Sequence, residues 1–144
     1  MTERYSRIDI YDYVYNLFYD VVTKNVYSMF EPQELTTSDT NDGFLVIRVG
    51  DLYDESEFTC SAYGWARVYV EAYVPPLSRG RLDYTKYQEY EDAINLVIAN
   101  AIGNDDGEFS IQEQSVLSMD TNENSNADNQ FFLFVKSFIV VINK

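Results

Sequence analysis

Near the middle of the chain, the segment from Tyr63 to Val74 (YGWARVYVEAYV) changes character at every step. Ala66, Val68, Val70, Ala72 and Val74 fall on one side, and Trp65, Arg67, Tyr69, Glu71 and Tyr73 on the other. A period of two belongs to an extended strand, whose successive side chains point to opposite faces. So long an alternation requires a sheet around it. The first face is small and apolar, which lets a helix press close. The second mixes aromatic rings with charges, the character of a half-wet sheet surface or of a subunit contact.

The flanking segments supply the rest of that sheet. Gly43 opens Phe44-Leu45-Val46-Ile47-Arg48-Val49, a β-branched run that Gly50 and Asp51 end. Leu52 to Ser61 is ambiguous, with room for a short strand around Phe58. Glu108–Met119 and Gln130–Ile142 are runs of similar length separated by the polar segment DTNENSNADN, which reads as an antiparallel hairpin with a long tip. The last strand is apolar on both sides. Phe131, Leu133, Val135, Ile139 and Val141 make one row, and Phe132, Phe134, Phe138, Val140 and Ile142 the other. Such a strand is covered on both faces. If one face meets helices, the other must meet something else, and a partner subunit is the natural candidate.

Two helices are expected. Ile10, Val14, Leu17 and Val21 recur at three- and four-residue steps from Arg7 to Met29, with Tyr11, Tyr15, Phe18 and Val22 widening the stripe. Pro32 marks the exit, and Gln33 to Asp42 reads as a polar loop. Pro75-Pro76 stops the long strand. A second helix follows from Tyr84 to Ile102, with Asp83 as N-cap, Gly103 just past its end and the stripe Tyr87, Tyr90, Ile94, Val97 and Ala101. The expected class is therefore α+β: a mainly antiparallel sheet of four to five strands packed by two helices, in the order α-β-β-α-β-β. No repeat or linker divides it, so residues 1–144 read as a single domain.

The charge balance narrows the partners. Twenty-four Asp and Glu against ten Lys and Arg give a net charge of −14. Nucleic-acid binding draws most of its affinity from cations that neutralise phosphates. This chain has no basic run, so specific binding of nucleic acid or of an anionic membrane is not expected. A negative lining would instead let a polyanion slide past. Arg79 and Arg81 are the nearest approach to a cationic cluster, and suit an ion pair with an acidic neighbouring subunit. Cys60 is the single cysteine, which excludes an internal disulfide. The N-terminal sequence MTERYSRIDIYDY has no basic segment followed by an apolar run, so no signal peptide is expected. The Phe131–Ile142 run is too short for a helical span, which needs about twenty residues.

The residues give little footing for catalysis. The chain contains no histidine, which removes the commonest general base and the commonest transition-metal ligand. There is no phosphate-binding glycine motif. Acidic pairs such as Asp105-Asp106 arise by chance among so many carboxylates. Asp120, Asn122 and Asn124 match the first ligand positions of a calcium loop, but Ser125 stands where glycine belongs and Phe131 where the bidentate glutamate belongs. No catalytic residue, cofactor or metal site is expected.

The succession of an amphipathic helix, a hairpin, the W-x-R-V-Y-V-E-x-Y-V strand (Trp65 to Val74), the Tyr87–Ile102 helix and a final hairpin resembles the tail terminator proteins of tailed bacteriophages. The related neck and tail-completion proteins share the layout. The resemblance extends over nearly the whole chain and rests on element order and size. It implies a non-catalytic virion protein, made in the host cytoplasm, that forms a closed homo-oligomeric ring and contacts neighbouring tail or neck proteins while the genome passes through the lumen. A podovirus-type tail ring or head-tail adaptor fits the same pattern. An acidic bacterial adaptor or inhibitor is the alternative of another class. The expected subunit contacts are Trp65, Arg67, Tyr69, Tyr73, Arg79, Arg81, Phe132, Phe134 and Phe138.

Overall fold

The alternating segment becomes the central strand of one sheet. The structure, a computed structural model, describes residues 6–30, 32, 34–54, 62–77, 81, 83–103, 109–121 and 131–143. In chain order the elements are α1 (Arg7–Phe18), β1 (Val26–Ser28), α2 (Thr37–Asp42), β2 (Phe44–Val49), β3 (Tyr53–Asp54), β4 (Ala62–Val74), α3 (Tyr84–Gly103), β5 (Phe109–Thr121) and β6 (Phe132–Asn143). The sheet runs β1-β2-β4-β6-β5, and β3 pairs with the start of β4. All pairings are antiparallel except that of β1 with β2, which is parallel. The α+β class and the mainly antiparallel sheet are as the sequence leads one to expect.

One sheet face carries the main core. Ala66, Val68, Val70, Ala72 and Val74 are all fully buried there, together with Leu45, Ile47 and Val49 of β2. α1 contributes Ile10, Val14 and Phe18, and α3 contributes Tyr90, Ile94, Ile98 and Ala101. The small side chains of β4 let both helices approach, and rings from the helices fill the remaining space: Phe18 lies against Phe138 and Tyr87 against Phe134. α3 begins as expected, with Asp83 Oδ1 accepting from the Lys86 amide at 3.1 Å.

Two elements depart from the sequence expectation. The first helix stops at Phe18 and does not run on to Met29. Tyr19 is extended and Asp20 takes a positive φ of 58°, so the chain turns back and Val26–Ser28 joins the sheet edge. The apolar positions Val21 and Val22 continued the helical period by coincidence. The expected Gln33–Asp42 loop contains α2. A capping box holds it: Thr36 Oγ1 accepts from the Asp39 amide, and Asp39 Oδ2 accepts from the Thr36 amide. The sheet thus has six strands and the chain three helices among the described residues. The suspected strand around Phe58, the calcium-like residues Asn122, Asn124 and Ser125, and Arg79 lie outside the described residues.

Candidate interaction surface

Period-two geometry leaves the other face of the sheet turned away from α1 and α3. The register aligns its residues across three strands: Arg48 with Tyr69 and Ser137, Arg67 with Ile139, and Trp65 with Val141. This face has two different ends.

Toward α2, the face is closed by the chain itself. Phe44 stacks on Tyr73 at 4.4 Å between centroids, and Phe131 meets both rings edge-on. Val46 completes this second buried cluster, with Tyr27 and Leu35 at its margin. The Tyr27 hydroxyl donates to the fully buried Asp39 carboxylate, 2.7 Å from one oxygen and 2.9 Å from the other, which ties α2 to β1. Burial and the neighbouring Asp39 push the Tyr27 phenol up to about 12.

At mid-face a polar network crosses the strands. Glu71 receives Arg48 Nε at 2.9 Å and the Tyr73 hydroxyl at 3.2 Å. Arg48 also donates to the Met29 carbonyl, which fixes the turn after β1. Burial alone would lower the Arg48 guanidinium, but the hydrogen bond and charge of Glu71 outweigh it and the net shift is upward. Arg67 donates to Ser137 Oγ at 2.8 Å.

The far end is half-exposed and apolar. Trp65 stacks on Tyr53 at 4.5 Å. Tyr69, Ile139 and Val141 are likewise half-buried.

The residues expected at a subunit contact therefore divide. Trp65, Arg67 and Tyr69 share the half-exposed end of this face. Tyr73 shares the face but is only 2% exposed, covered by Phe44 and Phe131. Phe134 and Phe138 are corrections. Both are 0% exposed and belong to the main core beneath the helices, so neither is available to a partner. Phe132 is half-buried opposite Val74, on the same helix-facing row. Arg81 is exposed in the loop after β4, where its carbonyl accepts from the Leu77 amide. The sequence reading chose the wrong row of β6. The outward row holds Leu133, Val135, Ser137, Ile139 and Val141, and Arg48 of β2 joins it.

Among the described residues, one cleft outside this face, of about 450 Å³, is lined by Ile8, Tyr11, Met29 and Val49 with Ser6, Arg7 and Ser28. Another, of about 300 Å³, has a mixed polar and apolar lining that includes Asp20, Val22, Lys24, Asp42 and Lys86. Among the described residues no three potential metal ligands cluster, and no helix is long and apolar enough to cross a membrane. No protein-family model matches the sequence, and no curated protein matches it.

Proposed function

We propose that this chain is a non-enzymatic structural protein that assembles into a closed ring, in the neck or at the tail end of a tailed-phage virion. The observation that supports the reading is the two-sided sheet. Helices cover one face, and the other presents Trp65, Tyr69, Ile139 and Val141 half-exposed around Arg67. An apolar, aromatic surface with an arginine at its centre has the composition of the core of a protein interface. The net charge of −14 disfavours gripping DNA, and suits a subunit past which DNA slides. The virion setting rests on the resemblance of element order to tail terminator proteins. It places assembly in the host cytoplasm and the mature protein in the particle.

The test is the mass of the purified chain by light scattering, together with negative-stain images of the same sample. A ring subunit gives a multiple of the 16.7 kDa monomer and round particles with a central hole. A monomer at all concentrations, even when co-expressed with the products of the flanking genes, would overturn the reading. It would favour instead an acidic adaptor or inhibitor whose binding to a basic partner weakens with salt.

A further inference from the structure

We propose that the Asp42–Gly43 bond is a latent modification site, which turns into an isoaspartyl linkage when α2 leaves its seat and then bars the chain from refolding. The site lies within one chain and holds whatever the assembly of that chain.

Asp-Gly pairs are open to this reaction because glycine has no side chain to shield its amide nitrogen. The Gly43 nitrogen adds to Cγ of Asp42 and a C–N bond forms. The carboxyl hydroxyl departs with the amide hydrogen as water, which leaves a five-membered succinimide. Water then adds to one of the two ring carbonyls. Opening at Cγ restores aspartate. Opening at the former main-chain carbonyl leaves the chain running through Cβ and Cγ, one methylene longer. The mass does not change, and no reagent other than water is needed.

The native joint blocks the first step. Asp42 is the last residue of α2, and a helical ψ does not bring the next nitrogen alongside Cβ, as ring closure requires. The Gly43 amide is committed to the Asp39 carbonyl at 3.0 Å. The Asp42 carboxylate accepts from Ser38 Oγ at 3.2 Å, and the Asp42 carbonyl accepts from the Tyr90 hydroxyl. These restraints depend on α2, whose six residues are too few to form a helix alone. The Thr36–Asp39 capping box and the Tyr27–Asp39 bond hold it in place. Because ring closure is slow beside such openings, its rate in the folded chain follows the fraction of time α2 is undocked.

The same joint rejects the product. Gly43 has no room to shift, since even a Cβ there would stand 2.4 Å from the Tyr73 carbonyl oxygen. An added methylene must therefore displace α2 or β2. The former Asp42 carbonyl also becomes part of a carboxylate, next to a Tyr90 side chain that is only 3% exposed.

The test uses the full chain with Asp106→Glu, which leaves Asp42–Gly43 as its single Asp-Gly pair. Samples are kept for weeks at neutral pH under reducing conditions, folded and in guanidinium chloride. Isoaspartate at residue 42 is read by electron-transfer fragmentation of the tryptic peptide. It should accumulate at least about tenfold more slowly in the folded chain. Thr36→Ala, an exposed change that removes the α2 cap, should raise the folded rate about fivefold. On removal of denaturant, isoaspartate should be confined to the chains that fail to recover native Trp65 fluorescence and elution volume. Asp42→Glu, whose ring would need six members, should keep its refolding yield after the same incubation. Equal folded and unfolded rates, or no response to Thr36→Ala in a chain that circular dichroism shows to be folded, overturn the gating by α2. Isoaspartyl chains recovered in the refolded fraction in proportion to their abundance, or an equal loss of yield in Asp42→Glu, overturn the bar to refolding.

Discussion

Gly43 is the joint that sets which way β2 faces, and replacing it with alanine should be among the most damaging small changes in the chain. It lies between α2 and β2 with φ 82° and ψ −177°. That region belongs almost solely to glycine, and an L side chain there costs about 1–3 kcal/mol. Space is a second obstacle. A Cβ would stand 2.4 Å from the Tyr73 carbonyl oxygen, 2.8 Å from the Tyr90 hydroxyl and 2.9 Å from Pro75 Cδ. The Tyr73 backbone cannot retreat easily, because β4 is paired with β2 on one side and β6 on the other. Nor can Gly43 move freely, since its amide donates to the Asp39 carbonyl at 3.0 Å and its own carbonyl accepts from Asn25 Nδ2 at 3.2 Å. Overpacking of this kind costs about another 1–3 kcal/mol. We expect Gly43→Ala to lose about 4 kcal/mol, a large part of the roughly 5–15 kcal/mol that holds a domain together. In urea, read by the fluorescence of the lone tryptophan Trp65, the midpoint should fall by about 2 M for a slope near 2 kcal/mol per M. Gly50→Ala is the control: its Cβ would meet only the Arg67 carbonyl oxygen, at 3.3 Å, and its φ is ordinary. A Gly43→Ala midpoint within about 0.5 M of wild type would refute the argument. The joint also fixes the face on which Arg48 meets Glu71, because a one-residue slip of β2 would carry Arg48 to the opposite face.

Lys136 sits on the helix side of β6, with its ammonium 3.7 Å from Glu91 and 5.9 Å from the centre of the Phe134 ring. Lys136→Met should be neutral or stabilising by about 1–2 kcal/mol, because Glu91 is partly exposed and water can solvate it. Glu91→Ala, which removes the carboxylate beside the buried ammonium, should cost about 2 kcal/mol. Equal losses in the two variants' urea midpoints would contradict this. Stability should also fall in alkali. The Tyr27 phenol is held at about 12 by burial and Asp39, against about 10 in the unfolded chain, so its contribution is complete below pH 10 and is lost as the pH climbs toward 12. Burial and the nearby Asp42 raise Tyr90 in the same direction. Urea midpoints measured across that window should fall more steeply for wild type than for Tyr27→Phe, and identical slopes would count against it.

How much of this was legible in the sequence depended on whether a local pattern decided each element. β4 and β2 were legible because alternation and the bracketing Gly43 and Gly50 leave one solution. α3 was legible through Asp83 at one end and Gly103 at the other. β6 was not, because both of its rows are apolar. Lys136 does not mark a solvent row either, since it is buried on the helix side of β6 beside Glu91. Pairing with β4, which sets Arg67 opposite Ile139, decides the row, and pairing across 70 residues has no local signature. α2 did have one, since Thr36 and Asp39 stand at capping-box spacing, but a six-residue helix offers no stripe to support it. β1 has three residues, too few for any period.

The acidity of the chain and its proposed assembly bear on each other through where the charges lie. Net charge resists the approach of identical subunits, yet beyond about 8 Å at physiological salt that repulsion is largely screened. What governs a contact is then the local surface. Here the chain separates its charges by layer: exposed carboxylates stand over α1 and α3, while the two arginines of the open sheet face are held in place by Glu71 and Ser137. Holding them in the free subunit lowers the side-chain entropy lost when a partner arrives. The same separation supplies orientation. A subunit with acids on its helix layer and rings on its open sheet face has two unlike surfaces, and the proposed closed ring would need every copy to use them in the same sense.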